Sequence, residues 1–160
     1  MDDLKESTAR KTLSDSIKSI HIADRILTMT YPLVKDEKLL VAVLDNTYLA
    51  ASGAINAILE NQRELKKIPP YHADLDSKMN VLRLKLCNEL KINPKDIVFI
   101  EELKELVKAQ KTSKIEFNRP DKRVFFDGNE VHSLSKIILE KHIEKTKNLI
   151  SISERVLSEN

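Results

Sequence analysis

Gly53 and Gly128 are the only glycines among 160 residues, and five prolines accompany them. Folds rich in tight turns need many positions that tolerate positive φ, so the composition argues against an all-β architecture and for helices with few breaks. Trp is absent and aromatic residues make up only 4% of the chain, so the core has to come from Leu, Ile, Val and Ala. Hydrophobic residues at 41% against 32% charged indicate a globular chain, and the length fits one domain over 1–160.

Apolar periodicity predicts the helices. Leu13, Ile17, Ile20 and Leu27 recur at spacings of four, three and seven within Leu4 to Thr28. Ile22, Ile26 and Met29 add a second row, so a wide buried stripe is expected, ended at Tyr31-Pro32 because a residue before proline is pushed out of the helical region. Asp36 is the expected cap of a second helix from Glu37 to about Lys66, apolar on most faces and therefore central. Its Ala50, Ala51, Gly53, Ala54 and Ala57 would let a neighbouring helix approach closely. Met79, Leu82, Leu86 and Leu90 mark a third helix, Asp76 to Lys91. Asn93-Pro94-Lys95-Asp96 is the clearest start signal, for a fourth helix reaching Gln110. Ser133 or Ser135 caps a last helix to about Leu157, with Leu139, Ile143, Ile150 and Leu149, Ile152, Val156 as its buried rows.

Between the fourth and fifth helices the texture changes. Ile115 and Phe117 alternate with polar residues, Val124-Phe125-Phe126 is a β-type run, and Asp127-Gly128 is a hairpin turn pair. The fold class is therefore mainly α: a bundle of about five helices with a small β-hairpin, about 112–132, inserted before the last helix, and a third short strand at Ile115 to Phe117 as an option.

The single cysteine, Cys87, permits no internal disulfide and fits a reducing compartment. The Met1 end is polar and acidic, without an apolar leader. The longest apolar stretch, Leu39 to Leu59, is interrupted by Asp45, Asn46, Ser52 and Asn56, whereas a membrane helix wants about 20 continuous apolar residues. A cytoplasmic chain with no membrane contact is the expectation. A net charge of +2 does not by itself demand a nucleic-acid partner.

Candidate chemistry is sparse. His72-Ala73-Asp74-Leu75-Asp76 alternates His with carboxylates in a manner that could ligate a metal, but Asp74 and Asp76 read better as capping and first-turn acids. His21, His132 and His142 include no pair at i, i+4 and read as solvated; Cys87 lies beside Leu86 and reads as a small core residue. Two glycines cannot build a phosphate-cradling loop, and no serine is flanked as a nucleophile. Neither a cofactor, a metal site nor a catalytic residue is expected. Asp45, Ser52 and Asn56 form a polar row on the most apolar helix and read as its solvated edge, with an internal pocket as the alternative.

The strongest binding signal is basic. Lys108, Lys111, Lys114, Arg119, Lys122 and Arg123 are opposed within that span only by Glu116 and Asp121, and Phe117, Phe125 and Phe126 are interleaved. Cations with exposed aromatics suit single-stranded nucleic acid; the alternative packs the phenylalanines inward to anchor the hairpin. A homodimer burying Phe125 and Phe126 would also remove apolar surface from water.

The order of elements, with the polar junction Lys108-Ala109-Gln110-Lys111-Thr112-Ser113 after the fourth helix, resembles the HEPN superfamily of helical-bundle domains. Active ribonucleases of that group carry an Arg, a short polar spacer and a His near such a junction. Here Arg123 and His132 lie too far apart, and Arg63 and His72 straddle Pro69-Pro70. The resemblance implies RNA binding or protein interaction, often as dimers; with no catalytic set in view, the expected function is a non-enzymatic helical interaction module that self-associates, with RNA contact through the basic hairpin segment as an option. A divergent ribonuclease using His132 or His72, and a structural subunit whose hairpin docks on a partner protein, are the alternatives.

Overall fold

In the computed structural model, which describes residues 7–159, Ser7 accepts the Arg10 N–H at 3.1 Å and so caps α1 (Thr8–Arg25). The expected start at Leu4 lies outside the described residues. The helix does not stop at Tyr31-Pro32. It widens through one π turn, Ile26–Thr30, and continues over Tyr31–Val34, with Tyr31 helical and its N–H bonded to the Ile26 carbonyl. The extra residue in that turn spreads the carbonyls beneath Pro32, which has no N–H and whose ring would otherwise strike the carbonyl four residues back. Leu13, Ile20 and Leu27 are buried as expected, but Ile22 is 49% and Met29 62% exposed. The buried stripe is narrower than the spacing predicts because α1 packs mainly on two helices, Leu39–Glu64 and Lys136–Ser158.

The central element is α2 (Leu39–Glu64), with Asp36 Oδ1 accepting the Lys38 N–H at 3.0 Å in the turn that leads into it. Its small residues receive neighbours on two sides. Ser16 of α1 donates its hydroxyl to the Ala50 carbonyl, and Ser153 of the last helix donates to the Ala54 carbonyl at 3.1 Å. A Cβ placed on Gly53 would lie 3.0 Å from Ser16 Cβ, so the α1–α2 crossing depends on that glycine. Among the described residues α2 is the one helix long and apolar enough to span a bilayer; in this fold it lies between α1 and the last helix, Lys136–Ser158.

Asp74 caps α3 (Leu75–Val81), which continues through a second wide turn, Leu82–Leu86, to Cys87–Glu89. The start signal at Asn93 works differently from expectation. Asn93 Oδ1 accepts the Lys95 N–H at 3.0 Å but opens only one 3₁₀ turn, Pro94–Asp96; Ile97 then turns fully into the core, and α4 (Phe99–Lys111) begins after it.

The insertion is a three-stranded antiparallel sheet in the order β1 (Ile115–Arg119), β2 (Lys122–Phe126), β3 (Val131–Ser135). The optional first strand is real. The expected hairpin about Asp127-Gly128 is β2 paired with β3, and β3 runs on to Ser135, past the expected end near 132. Asp121, at φ 58°, makes the β1–β2 turn, and Gly128, at φ 106°, the β2–β3 turn. Ser135 closes β3 and caps α5 (Lys136–Ser158), accepting the Ile138 N–H at 3.2 Å. The sheet rests on α2, α4 and α5.

Candidate nucleic-acid interface

Strand alternation sorts the basic segment into two faces, because successive side chains point to opposite sides. The registers align Ile115, Phe126 and Val131 in one row, Phe117, Val124 and Ser133 in the next, and Arg119, Lys122 and Ser135 in the third. This face looks to solvent: Ile115 is 59%, Phe117 41% and Val131 69% exposed, while Phe126 is half-buried and Val124, on the central strand, is buried. The Arg119 guanidinium sits 5.5 Å from the centre of the Phe117 ring, within cation–π range. The result is a platform of two neighbouring phenylalanines with aliphatic residues around them and two cations at the β1–β2 end. Lys114, just before β1, pairs its N–H with the Phe126 carbonyl at 2.9 Å and marks the opposite end, about 16 Å away at about 3.3 Å per residue.

The other face turns inward and corrects two expectations. Phe125 is fully buried and stacked against His132 at 5.4 Å, so it offers nothing to a second copy; it anchors the sheet on the helices. Arg123 shares that face. Its guanidinium donates to Glu116 Oε2 at 2.8 Å and Asn118 Oδ1 at 2.7 Å, leaving it 12% exposed and unable to meet a phosphate. Glu116 also accepts from the Ser113 hydroxyl and, at 3.0 Å, from Gln110. The Ser113 bond above all, then the Arg123 hydrogen bond and charge, holds its carboxyl below the usual range against the opposing effect of burial. Lys108 and Lys111 stand on the last turns of α4 and Arg123 on the inner face of the sheet, so the six cations do not share one sheet face.

The acids of the segment are used internally. Tyr31 donates its hydroxyl to Asp121 at 2.7 Å, tying the end of α1 to the β1–β2 turn. Asp127 accepts the Asn129 and Glu130 N–H groups and meets His132 Nε2 at 3.0 Å; these contacts, the turn amides first, lower its pKa to about 2. Lys108, Lys111, Lys114, Arg119, Lys122 and the Glu130 carboxylate are in no ion pair among the described residues.

The remaining candidates resolve as follows. Asp74 bonds the Ser77 N–H and hydroxyl, which is the capping role expected of it. His132 and His142 are not the solvated groups anticipated: His132 is held by Asp127 and Phe125, and His142 is 3% exposed, stacked on Phe99 and 3.7 Å from Glu102. Cys87 is buried, and burial pushes its thiol pKa up. Asp45, Ser52 and Asn56 are half-buried around an exposed Leu49. Burial raises the Asp45 carboxyl while Lys111 pulls it down. Ile115 and Val131 are platform members outside the basic cluster; the alternation Ile115-x-Phe117 signals Ile115, while Val131 is placed only by its register opposite Phe126.

No family model, no curated protein and no solved structure matches this chain.

Proposed function

We propose that the chain is a binding module for single-stranded RNA, with the outer face of the sheet as its platform. One observation carries the reading: Phe117 and Phe126 lie on a solvent-facing surface flanked by Arg119 and Lys122, whose neighbouring acid Asp121 is already bonded to Tyr31. Stacking of bases on such rings is worth about 1–3 kcal/mol each and tolerates any sequence, while unpaired cations follow the phosphates.

The test is titration of a labelled single-stranded RNA into wild-type protein and the Phe117→Ala, Phe126→Ala double variant at low salt. The proposal expects at least tenfold weaker binding in the variant, each lost ring being worth about that much or more. Equal affinity, or no wild-type binding at all, removes it and leaves the platform to a protein partner.

A ribonuclease using His72 is the rival reading that the same titration tests. Metal-independent RNA cleavage in the same titration, lost in His72→Ala, would put catalysis in place of binding.

A further inference from the structure

From Lys18 to Lys35, α1 and its continuation expose a surface that the bundle does not cover. Ile22, Met29, Leu33 and Val34 are 49%, 62%, 86% and 60% exposed, and Ile26 is half-buried beside them. Ile22 and Ile26 lie one helical turn apart on one face, and Met29 and Leu33 follow them through the wide turn Ile26–Thr30. The charge along this stretch that is left outside ion pairs is positive. Lys18, Arg25 and Lys35 lie outside every ion pair among the described residues; Asp24 is the only acid in the stretch, and Lys147 of α5 engages it at 2.9 Å. Lys18, His21, Ile22, Arg25, Ile26 and Thr30 line a shallow groove of 460 Å³.

We infer that this surface docks an acidic amphipathic helix of a partner protein: apolar side chains at three- and four-residue spacing seat on Ile22, Ile26 and Met29, and Glu or Asp on its flanks meet Lys18 and Arg25. A second copy of this chain fits less well, because an isologous interface sets the cationic rim against itself. A bilayer surface is flat and leaves the groove beside Ile22 and Ile26 unfilled. The docking surface is separate from the sheet platform, so it stands or falls independently of RNA binding.

The experiment uses the full chain and two designed helical peptides with the same leucine seam, one flanked by glutamates and one by lysines. Fluorescence anisotropy is run with wild type, with Met29→Asp, and with the Lys18→Glu, Arg25→Glu variant, all at exposed positions and all checked for unchanged helicity. The inference expects binding of the glutamate peptide only, roughly tenfold or greater weakening by Met29→Asp, and reversal of preference to the lysine peptide in the charge-swapped protein. Absence of glutamate-peptide binding, or binding indifferent to the charge swap, overturns it. So does a concentration-dependent dimer abolished by Met29→Asp, which would assign the surface to a second copy. Sedimentation with anionic phospholipid vesicles, lost in the same variant, would assign it to a membrane and equally overturn it.

Discussion

Arg123 on β2 and Glu116 on β1 form an ion pair at 2.8 Å on the inner face of the sheet, with side chains only 12% and 22% exposed. That pairing separates the cation that holds the sheet together from the cations that face solvent. Arg123→Ala would leave Glu116 with Ser113 and Gln110 alone, and should lower stability by about 1–3 kcal/mol, the cost of stripping a partner from a largely buried group. The denaturant midpoint should fall while RNA affinity of the folded fraction stays within about twofold. Loss of affinity without loss of stability would mean that Arg123 contacts the ligand.

His142 gives the fold a mildly acidic weakness. Burial between α4 and α5 lowers its pKa, with the Glu102 charge opposing. A histidine whose folded pKa is depressed contributes stability that is present above its unfolded value, about 6.5, and is lost as pH falls below it. The urea midpoint should therefore drop between about pH 7.5 and 5.5, above the window where the Asp127 carboxylate titrates. His142→Leu should flatten that drop; an equal drop in the variant would assign the effect elsewhere.

Gly53→Ala tests the α1–α2 crossing. Helix propensity alone would favour alanine by about 1 kcal/mol. The added methyl, however, meets Ser16 Cβ at 3.0 Å, an atom fixed to its own helix that cannot rotate away. Overpacking of this kind costs about 1–3 kcal/mol, so a net lower melting temperature is expected, with recovery when Ser16→Gly is added. A higher melting temperature in the single variant would show that the helices separate freely.

The helices and their buried rows were legible because apolar spacing reports burial directly, as at Leu139, Ile143 and Ile150. His142 shares that face, three residues from Leu139, and its burial could have been read from the same spacing. Helix ends were harder. Lys35, Lys66 and Lys91 each take the left-handed conformation after a helix, a position where glycine is the usual signal, and nothing in a lysine announces it. The stop expected at Tyr31-Pro32 failed because one wide turn absorbed the proline. In the basic segment the cations were visible, but which side of the sheet each one faces depends on register, and register rests on the Asp121 turn that the sequence reading did not anticipate. That is why Arg123 and Phe125 were grouped with Arg119 and Phe126, from which one residue of phase separates them.

The most direct test of the platform is the salt dependence of single-stranded RNA binding, compared between wild type and an Arg119→Gln, Lys122→Gln variant. Each phosphate neutralised on a single strand contributes about 0.7 to the slope of log affinity against log salt. The account predicts a wild-type slope that becomes shallower by about 1.4 in the variant, with Arg123→Ala leaving it unchanged. Identical slopes for wild type and the Arg119→Gln, Lys122→Gln protein would contradict it.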